Sequence, residues 1–247
     1  MTRSDALNNE HLLPEKLRHE FLRVQRELEA DRQFGHIFSR ARVRLWRAMD
    51  EHCGYHDSAM RRAVLAARVV WPLLPMWENA THGSPGMLPS PDCAGMPRLY
   101  LVSCTKELMG EPRALDQRSY DRIMAKMETL VIPEFEPLCL AILAIMEAGP
   151  LIAGARHYDD DELGEEIEQA WDGVQAGELD ELGERDDWDL LECHFWASEI
   201  VAGDLRSPRK NDTTTRREFW EKWLDDFVAI NTRPIDELVA DLARFID

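Results

Sequence analysis

The chain lacks long apolar runs, a paired-cysteine pattern and any concentration of positive charge, and each absence removes a class of protein. Its longest apolar run, "LCLAILAIM" from Leu138 to Met146, is nine residues, whereas a membrane-spanning helix needs roughly 20. The opening "MTRSDALNNEHLLPEK" lacks the basic-then-apolar layout of a secretory leader. Five irregularly spaced cysteines fit reduced thiols in a cytoplasm better than a disulfide frame. Lysine and arginine total 29 against 47 aspartates and glutamates, a net charge of −18, the wrong balance for holding a phosphate backbone. There is no P-loop, no GxGxxG fingerprint, no GxSxG elbow and no fixed-period repeat. The expectation is a cytoplasmic protein that binds neither membrane nor nucleic acid and requires no cofactor.

What the chain does have is acidity in one place. From Arg156 to Glu192 sixteen aspartates and glutamates face two arginines, so −14 of the net −18 falls in that segment. Charge kept for solubility is ordinarily spread over a surface, and this charge is concentrated. Asp159, Asp160, Asp161, Glu162, Glu165, Glu166, Asp186 and Asp187 are therefore the candidate contacts for a basic partner. The competing reading of the same run is a solvated face that only keeps the protein soluble.

Elsewhere the apolar residues recur at helical spacing. Leu17, Phe21, Val24 and Leu28 follow Pro14, and Ile37, Ala41, Leu45 and Met49 line a second stripe. Asp57 and Ser58 can cap a third helix, with Met60, Val64, Ala67 and Trp71 on one face before Pro72 stops it. "EPLCLAILAIMEAG" is apolar on all sides and reads as a central buried helix closed by Gly149. Thr215 and Glu218 form a capping box ahead of Phe219, Trp220, Trp223 and Leu224. One of those two tryptophans is expected at the surface, lining a groove. Ala80 to Pro97 should be a long Pro/Gly-rich loop, and "RLYLVSC" after it a short strand. These signals predict a single all-α domain over residues 1–247, an irregular multi-helix bundle of roughly eight to ten helices. A soft boundary is expected near Gly149–Gly154.

Three constellations have the chemistry of a site. In "HCGYHD", His52, Cys53, His56 and Asp57 offer metal-ligand types, and the His-Asp pair resembles that of helical phosphohydrolases. That family sets its pair inside a helix, whereas here it follows Gly54 and Tyr55 in a turn. "DDDE" with "NDTTTRRE" resembles the acidic magnesium motifs of terpene synthases, yet Phe219 stands where the second motif needs its glutamate. Cys193 beside His194 pairs a thiol with an imidazole, but neighbouring helix residues point in different directions. None of the three is expected to carry catalysis or a metal. The tryptophans, at helical spacing, are expected in the core.

The segment "AVLAARVVWPLLPMWENATHGSPGMLP", followed by "DDWDLLECHFWASEIVAGDLRS" and "RREFWEKWLDDFVAI", resembles the Imm5-type immunity proteins of bacterial polymorphic toxin systems. The matching positions are Leu74, Pro75, Trp77 and Glu78, then Arg217, Phe219, Trp220, Trp223 and Leu224. The acidic insert around 156 to 187 lies outside that pattern. The resemblance implies a non-enzymatic, all-helical protein that protects its producer by binding a cognate toxin. A basic toxin would explain the acidic segment, because opposite charge speeds association. A homodimer through an exposed Trp-bearing helix face is compatible with the same pattern. The alternative function is an all-α metal-dependent hydrolase of a phosphorylated small molecule, using His52, His56 and Asp57.

Overall fold

The computed structural model describes residues 7–83, 94–112, 115–129, 136–156, 189–203 and 211–246, and every regular element among them is helical. A 3-10 turn, Leu7–Leu12, precedes α1 (Glu15–Ala30), α2 (Ser39–Cys53) and α3 (Tyr55–Val70). A second 3-10 turn over Trp71–Leu73 leads to α4 (Leu74–Gly83), then α5 (Met96–Leu108), α6 (Gln117–Glu128) and α7 (Glu136–Gly154). The remainder is α8 (Asp189–Ala202), α9 (Thr213–Thr232), α10 (Ile235–Ala240) and α11 (Ala243–Ile246). The protein is all-α. Among the described residues no helix is long and apolar enough to cross a membrane.

The bundle is arranged around α3. From Ser58 to Val70 every residue except Arg61 is buried, and α2, α5, α7, α8, α9 and α10 all pack against it. Its alanines at 59, 63, 66 and 67 let those neighbours approach closely, as ridges into shallow grooves. The central position expected of "EPLCLAILAIMEAG" is thus shared between α7 and α3. Two arginines of α3 are buried with acidic partners: Arg62 lies 3.5 Å from Asp50, and Arg68 lies 3.3 Å from Asp226. Arg61 donates to the carbonyls of Ile230 and Arg233, closing the C-terminal end of α9. These pairings run in opposite residue order, so α3 and α9 are antiparallel.

Five local expectations are corrected. "RLYLVSC" is helical, inside α5, where Tyr100, Leu101, Cys104 and Leu108 form the buried stripe; a lone strand would have left its backbone groups unpaired. The helix begun at Glu136 does not end at Gly149 but continues through Pro150 to Gly154. The cap of α9 is Asp212, whose carboxylate accepts from the Thr214 and Thr215 amides, three residues ahead of the expected box. The third helix starts at Tyr55 after Gly54, which takes φ 79°, and Ser58 is buried rather than capping. The expected Ala80–Pro97 loop yields its two ends to α4 and α5, and 84–93 lie outside the described residues.

Gly149 and Pro150 form a unit with Tyr100. Proline has no N–H, so the Met146 carbonyl, one turn earlier, loses its helical donor. The Tyr100 hydroxyl lies 3.3 Å from that carbonyl and donates in place of the missing amide. Tyr120 stands 3.0 Å behind, hydroxyl to hydroxyl. The ring gets close enough because residue 149 has no side chain: a Cβ there would run into the tyrosine. Burial pushes the Tyr100 phenol well above its ordinary range, so it stays a donor.

Candidate functional site

The residues that carry the family resemblance lie mostly inside. Trp220 and Trp223 are both fully buried, contrary to the expectation that one faces a groove. Positions three apart share a helix face, and α9 is covered by α1, α3 and α8. The Trp220 indole donates to Nδ1 of His36 at 2.8 Å, and the Arg42 guanidinium sits 5.2 Å from its ring centre. Trp223 packs edge-on to Trp46 with centroids 5.5 Å apart and stacks on Phe227 at 5.7 Å. Trp77 is buried too, donating to the Ala94 carbonyl, while Glu78 takes a two-pronged contact from Arg98 at 2.6 and 2.9 Å.

The adjacent arginines at the head of α9 reach apart. Arg216, with no exposed surface, meets Glu199 at 2.9 Å, Ser198 at 2.8 Å, Asn211 at 2.8 Å and the Gly203 carbonyl that closes α8. Arg217 instead donates to the carbonyls of Leu28 and Asp31, closing α1. A planar guanidinium with five donors suits both tasks, and a lysine would not. These are organising contacts for the bundle.

Of the three constellations, "DDDE" lies outside the described residues, and the other two are not arranged as working sites. His52 and His56 are exposed on either side of Gly54, and Asp57 pairs with Arg61 at 3.0 Å. Among the described residues no group of three or more His, Cys, Asp or Glu side chains is placed to hold a metal. Cys193 and His194 do touch, Sγ to Nδ1 at 3.7 Å, despite being neighbours on one helix. Burial pushes the Cys193 thiol up to about 12 and, with help from Arg42, the His194 imidazole down to about 3. Both are neutral at ordinary pH, the opposite of an activated thiolate–imidazolium pair. The candidate partner contacts Asp159, Asp160, Asp161, Glu162, Glu165, Glu166, Asp186 and Asp187 lie outside the described residues.

The surface between α1 and α2 holds an open groove of about 680 Å³. The helices are antiparallel, with Lys16 reaching Glu51 at 3.5 Å and Arg44 reaching Glu27 at 2.6 Å and Glu20 at 3.4 Å. Leu22 and Ala48 contribute its apolar floor. The sequence signal of this groove is alternating charge at 16, 20, 23 and 27, indistinguishable from the ordinary pattern of a solvated helix face. In sequence comparisons no protein-family model matches the chain and no curated protein does either.

Proposed function

We propose that this protein is an immunity protein: a stoichiometric inhibitor, not an enzyme, that captures a basic toxin domain from a bacterial polymorphic toxin system. One observation carries the reading, the confinement of −14 of the −18 net charge to Arg156–Glu192. A segment of that density gains most from meeting a cationic cleft, and a nuclease-like toxin needs such a cleft for phosphate. The order of the Leu74–Glu78 and Arg217–Leu224 elements supports it, as positions matching the Imm5-type pattern. Their burial fits a scaffold in which the family-like residues build the bundle and partner choice falls to a charged surface. The competing hydrolase reading gains no support from the exposed His52 and His56.

The test is a growth assay with the toxin domain encoded beside this gene. Co-expression should rescue growth, and the purified pair should elute as a one-to-one complex. Toxicity that persists in the presence of this protein, without complex formation, rejects the reading.

A further inference from the structure

We propose that the groove between α1 and α2 is a docking site for an acidic helical segment of a partner protein, separate from the Arg156–Glu192 region and independent of the inhibitor reading. The first ground is sign. Five cations, Lys16, Arg18, Arg23, Arg44 and Arg47, line the groove against three carboxylates, Glu15, Glu20 and Glu51, in a chain whose net charge is −18. This is a local reversal of the molecule's charge.

The second ground is availability. Glu51 is shared by Lys16 and Arg47, and Glu20 and Glu27 are shared by Arg23 and Arg44. Sharing holds the long side chains in place, with Lys16 and Arg23 exposed, Arg47 partly exposed and Arg44 nearly covered. Arg18 is half-buried and makes no ion pair or side-chain hydrogen bond with any described residue. An incoming carboxylate would thus meet positioned, partly desolvated donors, where pairing is stronger than between freely exposed ions.

The third ground is shape. The cations are strung along α1 from residue 16 to residue 23, about 10 Å at 1.5 Å per residue. A single phosphate would reach only one end. Carboxylates at the first, fourth or fifth, and eighth positions of a second helix cover the same length, and Leu22 and Ala48 receive a small apolar side chain between them. Nucleic acid fits less well, because its charges recur about every 1.7 Å and would continue past the groove onto a strongly acidic molecule.

The experiment uses the full chain and a fluorescent alanine-based peptide carrying glutamates at those three helical positions, read by anisotropy. Binding at about 20 mM salt should weaken at least about tenfold at about 200 mM. The Arg18→Glu, Arg47→Glu double variant should lose at least about tenfold in affinity, and the milder Arg18→Gln, Arg47→Gln variant should lose part of it. Arg118→Glu, on exposed α6, should leave affinity unchanged, and circular dichroism should show every variant folded. The proposal is overturned if the peptide does not bind at low salt, if a glutamine-for-glutamate peptide binds equally, or if the groove variants bind normally. Tighter binding of a single-stranded oligonucleotide than of the peptide overturns it as well. So does salt-dependent self-association abolished by the groove variants, since the occupant would then be a second copy of this chain.

Discussion

Single buried ionisable groups make this fold sensitive to pH in two opposing ways. His194 is held neutral by burial and by Arg42, its pKa lowered from 6.5 to about 3. As pH falls below 6.5 the unfolded chain takes up a proton that the folded chain refuses, so His194 subtracts stability progressively down to about pH 3, on the order of 5 kcal/mol in full. Asp50 acts the other way. Burial, opposed by Arg62, raises its pKa from 3.8 to about 6, so the folded chain keeps a proton that the unfolded chain has lost, and stability falls as pH rises from 3.8 to about 6. Denaturant midpoints of His194→Gln and wild type, compared at about pH 4.5 and about pH 7.5, should shift in favour of the variant at the lower pH. Asp50→Asn should show its relative gain at the higher pH. A gap between variant and parent that does not change with pH would refute the assignment of either group. None of this was legible beforehand, because Cys193 and His194 in sequence look the same whether they are activated or buried and silent.

At the scale of elements, apolar spacing was a good guide where one face meets one neighbour and a poor one where a helix is surrounded. The Leu17–Leu28 stripe of α1 was readable because the opposite face is charged. The course of α5 and α7 was not, because "RLYLVSC" and "EPLCLAILAIMEAG" are apolar on several sides and have no clear period. Gly149 looked like a helix stop since glycine commonly follows one. Its actual use, space for the Tyr100 ring, depends on a residue 49 positions earlier. Gly149→Ala should therefore destabilise the protein by about 1 to 3 kcal/mol through overpacking. Tyr100→Phe, which keeps the ring but strips the Met146 carbonyl of its substitute donor, should cost about 1 to 2 kcal/mol. Urea unfolding measures both, and a Gly149→Ala protein as stable as wild type would show that α7 and α5 are not tightly joined there. The burial of Trp71 and Trp77 is legible in the spacing, whereas Trp196 is only partly buried and Trp188 lies outside the described residues; the burial of both Trp220 and Trp223 is not legible, since it requires knowing that α9 is covered from several sides.

For the molecule as a whole, charge is its most polarised property. On the two proposals above, an acidic segment and a cationic groove on one chain would take partners of opposite sign, each weakened as salt screens it. Replacing Asp159, Asp160, Asp161 and Glu162 with lysine should slow capture of a basic toxin at least about tenfold and flatten its salt dependence, while leaving thermal stability near wild type. Stopped-flow association at several ionic strengths decides this, and an unchanged rate would move the interface elsewhere. The acidity of that segment is legible in sequence as composition alone. The α1–α2 groove was not, because each of its charges is unremarkable until two helices bring them side by side.

Arg217 ties the end of α1 to α9, and Phe21 stacks on Phe227 with ring centroids 6.3 Å apart. The same α9 closes against α3 through Arg61 and Arg68. During synthesis, α1, α2 and α3 can cover part of one another, but the faces of α1 and α3 that meet α9 stay uncovered until residues 211–246 have followed. Those faces of α1 and α3 thus wait for α9, a long-range set of contacts within a bundle whose other contacts form between earlier elements.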